Sequence, residues 1–259
     1  MNTNEGLRFP EIYITFLILV TLLCQAEGNS PQSDSVGAVK SKPTSHIKSL
    51  ARLHTKGMFT YGGRISSDNP AFDINLTYER KNWGLLIYKA IDLQDHTTAN
   101  NFGLAVINKN FKLGKRFTFT PNIGVLFEQA YSVADRGTDV AVITLTSYKI
   151  NSNLSMDHTA LFGNLIIDPE FRDWVNRFRF LYTTKHVDMT YMLWHNNHIF
   201  DEFEYVSTGL TIAYNRIRLS DQFFLGTSVT GISMLESSDQ QSNPKISRLV
   251  FTINCQFVN

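Results

Sequence analysis

From Gly57 to the end of the chain, apolar and polar residues alternate with a period of two. Phe72, Ile74, Leu76 and Tyr78 fall on one face of an extended segment, with Asp73, Asn75, Thr77 and Glu79 on the other. Phe117, Phe119, Ile123, Val125 and Phe127 alternate in the same way with Thr118, Thr120, Asn122, Gly124 and Glu128. Phe178, Phe180 and Tyr182 oppose Arg177 and Arg179, and near the C-terminus Leu249, Phe251, Ile253, Cys255 and Phe257 oppose Arg248, Thr252, Asn254 and Gln256. Successive side chains of a strand point to opposite faces, so this period predicts β-structure with one apolar and one polar face. Strands are expected near 57–65, 70–79, 83–91, 101–111, 117–128, 138–149, 154–162, 176–184, 187–195, 204–216, 221–234 and 246–258, about twelve in all.

The gaps between these segments alternate in length. Tight turns fall at Arg80–Asn82, Lys112–Lys115, Asn151–Asn153, Lys185–Val187 and Arg218–Ser220. Longer polar stretches fall at Asp92–Asn100, Gln129–Thr138, Gly163–Asn176, His195–Glu204 and Glu236–Lys245, while the 65–70 connection is shorter than these. A soluble sandwich has no reason to sort its loops by length. A transmembrane barrel does, with short periplasmic turns and longer extracellular loops. Even-numbered predicted strands end in Tyr78, Phe111, Tyr148, Tyr182, Tyr214 and Phe257, all near the short-turn side. Such rings suit a membrane boundary, where one end meets hydrocarbon and the other meets water. The fold class read from the pattern is therefore all-β: an antiparallel up-and-down transmembrane β-barrel of about 12 strands.

The N-terminus adds an export signal. Ile12–Leu23 is an apolar core followed by Cys24-Gln25-Ala26, with small residues placed for cleavage before Glu27. This divides the chain into a signal peptide (1–26), a flexible linker (27–56) and a barrel (57–259). Glu27–Pro43 is rich in Ser, Pro, Gly, Lys and Gln; Ser45–Lys56 reads as a short amphipathic helix or an extended lead-in. After cleavage, Cys255 is the one remaining cysteine, so no internal disulfide is expected. No later stretch approaches the roughly 18 apolar residues of a spanning helix. A net charge of +1 excludes an electrostatic argument for nucleic acid.

Over about 57–259, the chain resembles the bacterial outer-membrane β-barrel class, including a C-terminal amphipathic strand (LVFTINCQFVN) whose last aromatic is Phe257. The resemblance implies integral residence in the outer membrane of a Gram-negative bacterium after Sec-type export. It also implies outer-membrane lipid, lipopolysaccharide and the barrel-assembly machinery as partners. No cofactor is indicated. Small solutes are the expected cargo if the barrel is a channel.

Charged residues expected in the lumen are Asp73, Glu79, Glu128, Asp157, Arg177, Arg179, Lys185 and Arg248, with Lys89 placed on the same face. Mixed charge fits a weakly selective pore or an internally paired lumen. In the longest loop, Glu170, Arg172, Asp173 and Trp174 are candidates for an inward-folded constriction. Two chemistries remain weak. A lipid hydrolase would need a nucleophile two residues after an outward-facing His158, where Ala160 stands. A metal site at His195, His198, Asp201, Glu202 and Glu204 has the ligand types but only a loose spacing. The sequence thus reads first as a narrow channel or a structural barrel without transport. The alternatives are an outer-membrane lipid-modifying enzyme and a secreted β-sandwich or lipocalin-like carrier.

Overall fold

Ser45–His54, read from sequence as a helix or lead-in, is the first strand (β1), and it is paired on both sides. Its two periodicities compete. A helix gathers Ile47, Leu50 and Ala51 on one side, whereas a strand sends Ile47 and Leu53 outward and Arg52 and His54 inward. The strand prevails because β1 fills the seam between the first and last ladders. A helix there would leave two rows of backbone donors and acceptors unpaired in lipid.

The computed structural model describes residues 45–59, 63–95, 102–127, 140–162, 165–166, 173–198, 203–238 and 248–258. After β1 come β2 (Gly57–Phe59), β3 (Arg64–Ser67), β4 (Ala71–Arg80), β5 (Trp83–Asp92), β6 (Phe102–Lys109), β7 (Phe111–Leu113) and β8 (Phe117–Phe127). Then follow β9 (Val140–Lys149), β10 (Leu154–Phe162), β11 (Asp173–Thr183), β12 (Asp188–His198), β13 (Phe203–Arg218), β14 (Phe223–Ser237) and β15 (Arg248–Val258). The wall runs β6-β5-β4-β1-β15-β14-β13-β12-β11-β10-β9-β8 and closes through β6–β8 pairing, every ladder antiparallel. β7 continues the line of β6 beyond Asn110 and pairs with β8, so the wall holds twelve strands.

The expected count is right, but its first member is corrected: β1 stands in the wall in place of the predicted 57–65 strand. Residues 57–59 and 64–67 instead form a separate two-stranded hairpin. This also accounts for the short 65–70 gap, since the true connection from β1 to β4 is residues 55–70. The signal segment and most of the 27–56 linker lie outside the described residues.

Tight turns sit together at one end, as their local chemistry requires. Lys81 takes a positive φ of 56° between β4 and β5, and Gly114 one of 75° between β7 and β8. Asn151 Oδ1 accepts from the amides of Asn153 and Leu154, both at 2.9 Å, the side-chain turn typical of asparagine. Ser45 pairs with Arg80 and the Val258 amide donates to the Gln222 carbonyl, so both ends of the described chain share this rim.

The outer face is apolar. Ile74, Leu76, Ile87, Ile107, Phe178, Phe180, Leu210, Ile212, Phe251 and Ile253 are exposed there. Tyr78, Phe111, Tyr148, Tyr182 and Tyr214 are exposed on the same face toward the short-turn rim, where Phe223 and Phe257 also pack together. That is the expected girdle. So extensive an apolar surface on a closed barrel is the surface of a protein solvated by lipid.

Candidate functional site in the barrel lumen

Polar faces of the strands turn inward, and two clusters of charge dominate them. On β1 and β4, Arg52 and Asp73 are directly paired positions. The guanidinium donates from Nε to Asp73 Oδ1 at 2.8 Å and from Nη2 to Oδ2 at 3.0 Å, a two-pronged bridge. His54 Nε2 lies 2.8 Å from Asp73 Oδ2, and His54 Nδ1 lies 2.8 Å from Thr252 Oγ1 of β15. Tyr88 of β5 is buried against this group. Below it, toward the short-turn rim, Lys48 Nζ meets Glu79 Oε2 at 3.1 Å.

A second cluster rises from β10 and β11. Arg179 and Asp157 are directly paired, and Nε of Arg179 donates to Asp157 Oδ2 at 3.0 Å, with Nη2 reaching the same oxygen. One step along, Arg177 Nη2 donates to Thr159 Oγ1 at 3.3 Å. Arg177 and Arg179 are both 0% exposed. In the ring of twelve, β5, β6, β8 and β9 lie between the clusters on one side, and β15, β14, β13 and β12 on the other. The two clusters therefore stand on opposite walls. Twelve strands enclose a narrower interior than the sixteen to eighteen of large porins.

Of the residues anticipated from sequence, Asp73, Glu79, Asp157, Arg177 and Arg179 are in the lumen. Lys185 is not: it is exposed in the β11–β12 turn, because the strand ends at Thr183. Lys89 is likewise corrected to the outer face, since Tyr88, paired with Asn75, takes the inward position. Arg248 opens β15, its backbone opposite Ile232. Glu128, Glu170 and Arg172 lie outside the described residues. Asp173 begins β11 opposite His198.

Trp174 is corrected from constriction loop to outer wall. It is exposed on β11 and stacks on Phe162 of β10 with ring centroids 5.7 Å apart. His158 also faces outward, stacked on Phe178 at 4.5 Å, with Nε2 3.3 Å from Asn176 Oδ1. His195 pairs with Glu204 across β12 and β13. On β1, Lys48, Arg52 and His54 are lumen residues that sequence reasoning missed. Their signal was the alternation of Ile47, Ser49, Ala51 and Leu53 against Lys48, Leu50, Arg52 and His54, hidden by an equally good helical spacing.

With this geometry in place, the architecture has counterparts of known structure. The KdgM porin is similar at a TM-score of 0.54, with 8% identity over 82% of this chain and 98% of that one. The KdgM porin in complex with disordered oligogalacturonate gives 0.53 and 9% over the same shares. An outer membrane channel from Pseudomonas putida F1 gives 0.50 and 8%, covering 88% of this chain and 100% of that one. The chain has the fold of a porin-like outer-membrane barrel. No protein family matches the sequence, and no curated protein does either.

Proposed function

We propose that the protein is a narrow channel of a bacterial outer membrane that passes small solutes with a preference for anions. One observation carries this reading: Arg177 and Arg179 stand at successive inward positions of β11, a guanidinium ladder on one wall of the lumen. Fixed charge of one sign at a narrow point selects ions of the other. A carboxylated solute like the oligogalacturonate held by one neighbour suits that ladder. The chemistry here is selection by charge and size, with no bond made or broken.

The experiment is planar-bilayer recording of the refolded barrel under a salt gradient, after its folding has been checked by heat-dependent gel mobility. Discrete openings with an anion-selective reversal potential are expected. Cation selectivity overturns the proposed preference. The second reading, a structural barrel without transport, draws on the complete burial of Arg177 and Arg179. Absence of openings, even from a barrel whose mouth has been cleared, would favour it.

A further inference from the structure

The connection from β1 to β4 is longer than the wall requires. His54 and Ala71 are directly opposite in the ladder, so a two-residue turn would join them. The chain spends residues 55–70 there instead. Within this stretch β2 pairs with β3, Gly57 opposite Ser67 and Phe59 opposite Arg64, and Lys56 Nζ meets Asp68 Oδ1 at 2.7 Å across the base.

This hairpin lies against the lumen wall. Gly63 is buried, and a Cβ built on it would come within 2.5 Å of both the Trp194 ring and Ser207 Oγ. Trp194 and Ser207 belong to β12 and β13, face inward, and are each 0% exposed. β15 and β14 separate β13 from β1, so the hairpin reaches over that arc of the mouth. Glycine is demanded at position 63 twice, by a φ of +63° and by the lack of room for any side chain. The Trp194 ring also packs close to Gly209, where a Cβ would lie 3.1 Å from it, so the ring fits between two glycines. Near the same long-loop end, Leu161, Val175, Tyr205 and Val250 face inward and are almost wholly buried. Apolar side chains lining an open aqueous mouth would be wet; these are dry.

We propose that the β2–β3 hairpin is the size-limiting cover of this channel, seated by Gly63 against Trp194 and Ser207, so that passage requires it to lift. The inference rests on the channel reading above. The exposed Lys56–Asp68 pair adds little to holding it closed, since water screens such pairs. The seat is a steric contact on a rigid wall, which suits an element that opens and re-closes.

The test compares the full chain with a variant in which residues 55–70 are replaced by Asn-Gly, both carrying Cys24→Ala, Cys255→Ala and Ser207→Cys. Heat-dependent gel mobility verifies folding. A bulky, membrane-impermeant maleimide then reads access to position 207. A minor open state is populated at roughly 10% or less, so removal of the cover should speed labelling about tenfold or more. Conductance should rise severalfold and larger solutes should enter. Equal labelling rates overturn the cover, whatever the conductance. Faster labelling with no openings in either chain upholds the cover and overturns the channel reading instead. If the shortened chain does not fold, Gly63→Val, which cannot seat, replaces it with the same two readouts.

Discussion

Arg179 and Asp157 occupy directly opposed positions on β11 and β10, and their side chains close on each other inside the barrel. Their side chains are 0% and 5% exposed. Arg52 and Asp73 repeat the arrangement on the far wall. Each charge is thus compensated by its cross-strand neighbour, which makes the lumen clusters part of the wall's own stability.

Asp157→Asn should therefore destabilise the barrel by about 3–5 kcal/mol, the usual effect of stranding one member of a buried pair. The measurement is the urea midpoint of unfolding in lipid vesicles. Replacing both Asp157 and Arg179 with Leu should recover most of the loss, because it strands no charge. A double variant as weak as the single one would mean that shape, rather than charge, is what the site requires.

Selectivity should move with the guanidiniums. Arg177→Gln combined with Arg179→Gln should shift the reversal potential under a salt gradient toward cations. Unchanged selectivity would place the conduction path away from β11.

The three tryptophans should separate by environment. Trp83 and Trp174 are exposed on the outer wall, while Trp194 is fully buried inside. Lipids brominated on their chains should quench the fluorescence of Trp194→Phe strongly. They should leave a Trp83→Phe, Trp174→Phe double variant nearly untouched. Strong quenching of that double variant would contradict the inward placement of Trp194.

Leu210 lies on the lipid face of β13, four residues from Tyr214 of the girdle. Leu210→Arg should cost about 2–4 kcal/mol, the range for a cation near the bilayer midplane of such a barrel. A loss below that range would mean that this face meets water.

Strand alternation alone makes most of the wall legible. It places Asp73, Asp157, Arg177 and Arg179 inward and the rings from Tyr78 to Tyr214 outward, because in a strand parity fixes the face. Polarity misleads at Lys89: parity along β5 puts it outward with Leu85 and Ile87, opposite the outward Ile74, despite its charge. Alternation is silent at β1, because 45–54 satisfies a period of two and a helical period equally well. Only pairing with β4 and β15 breaks that tie. Trp174 is misplaced by the alternation because the clear pattern of β11 begins only at Asn176, whereas the strand itself begins at Asp173, so an outer-wall ring is assigned to a loop.

The sequence by itself determined the class of object: strand period, sorted turn lengths and aromatic strand ends are local properties, and together they require a lipid-facing barrel with its tight turns on one rim. Tertiary structure decided what occupies the lumen. The partnership of Arg52 and His54 with Asp73, the opposition of the two clusters, and the seating of Gly63 against Trp194 join residues tens to over a hundred positions apart. Local periodicity carries no information about such meetings, because they depend on how the sheet closes and where an inserted hairpin turns.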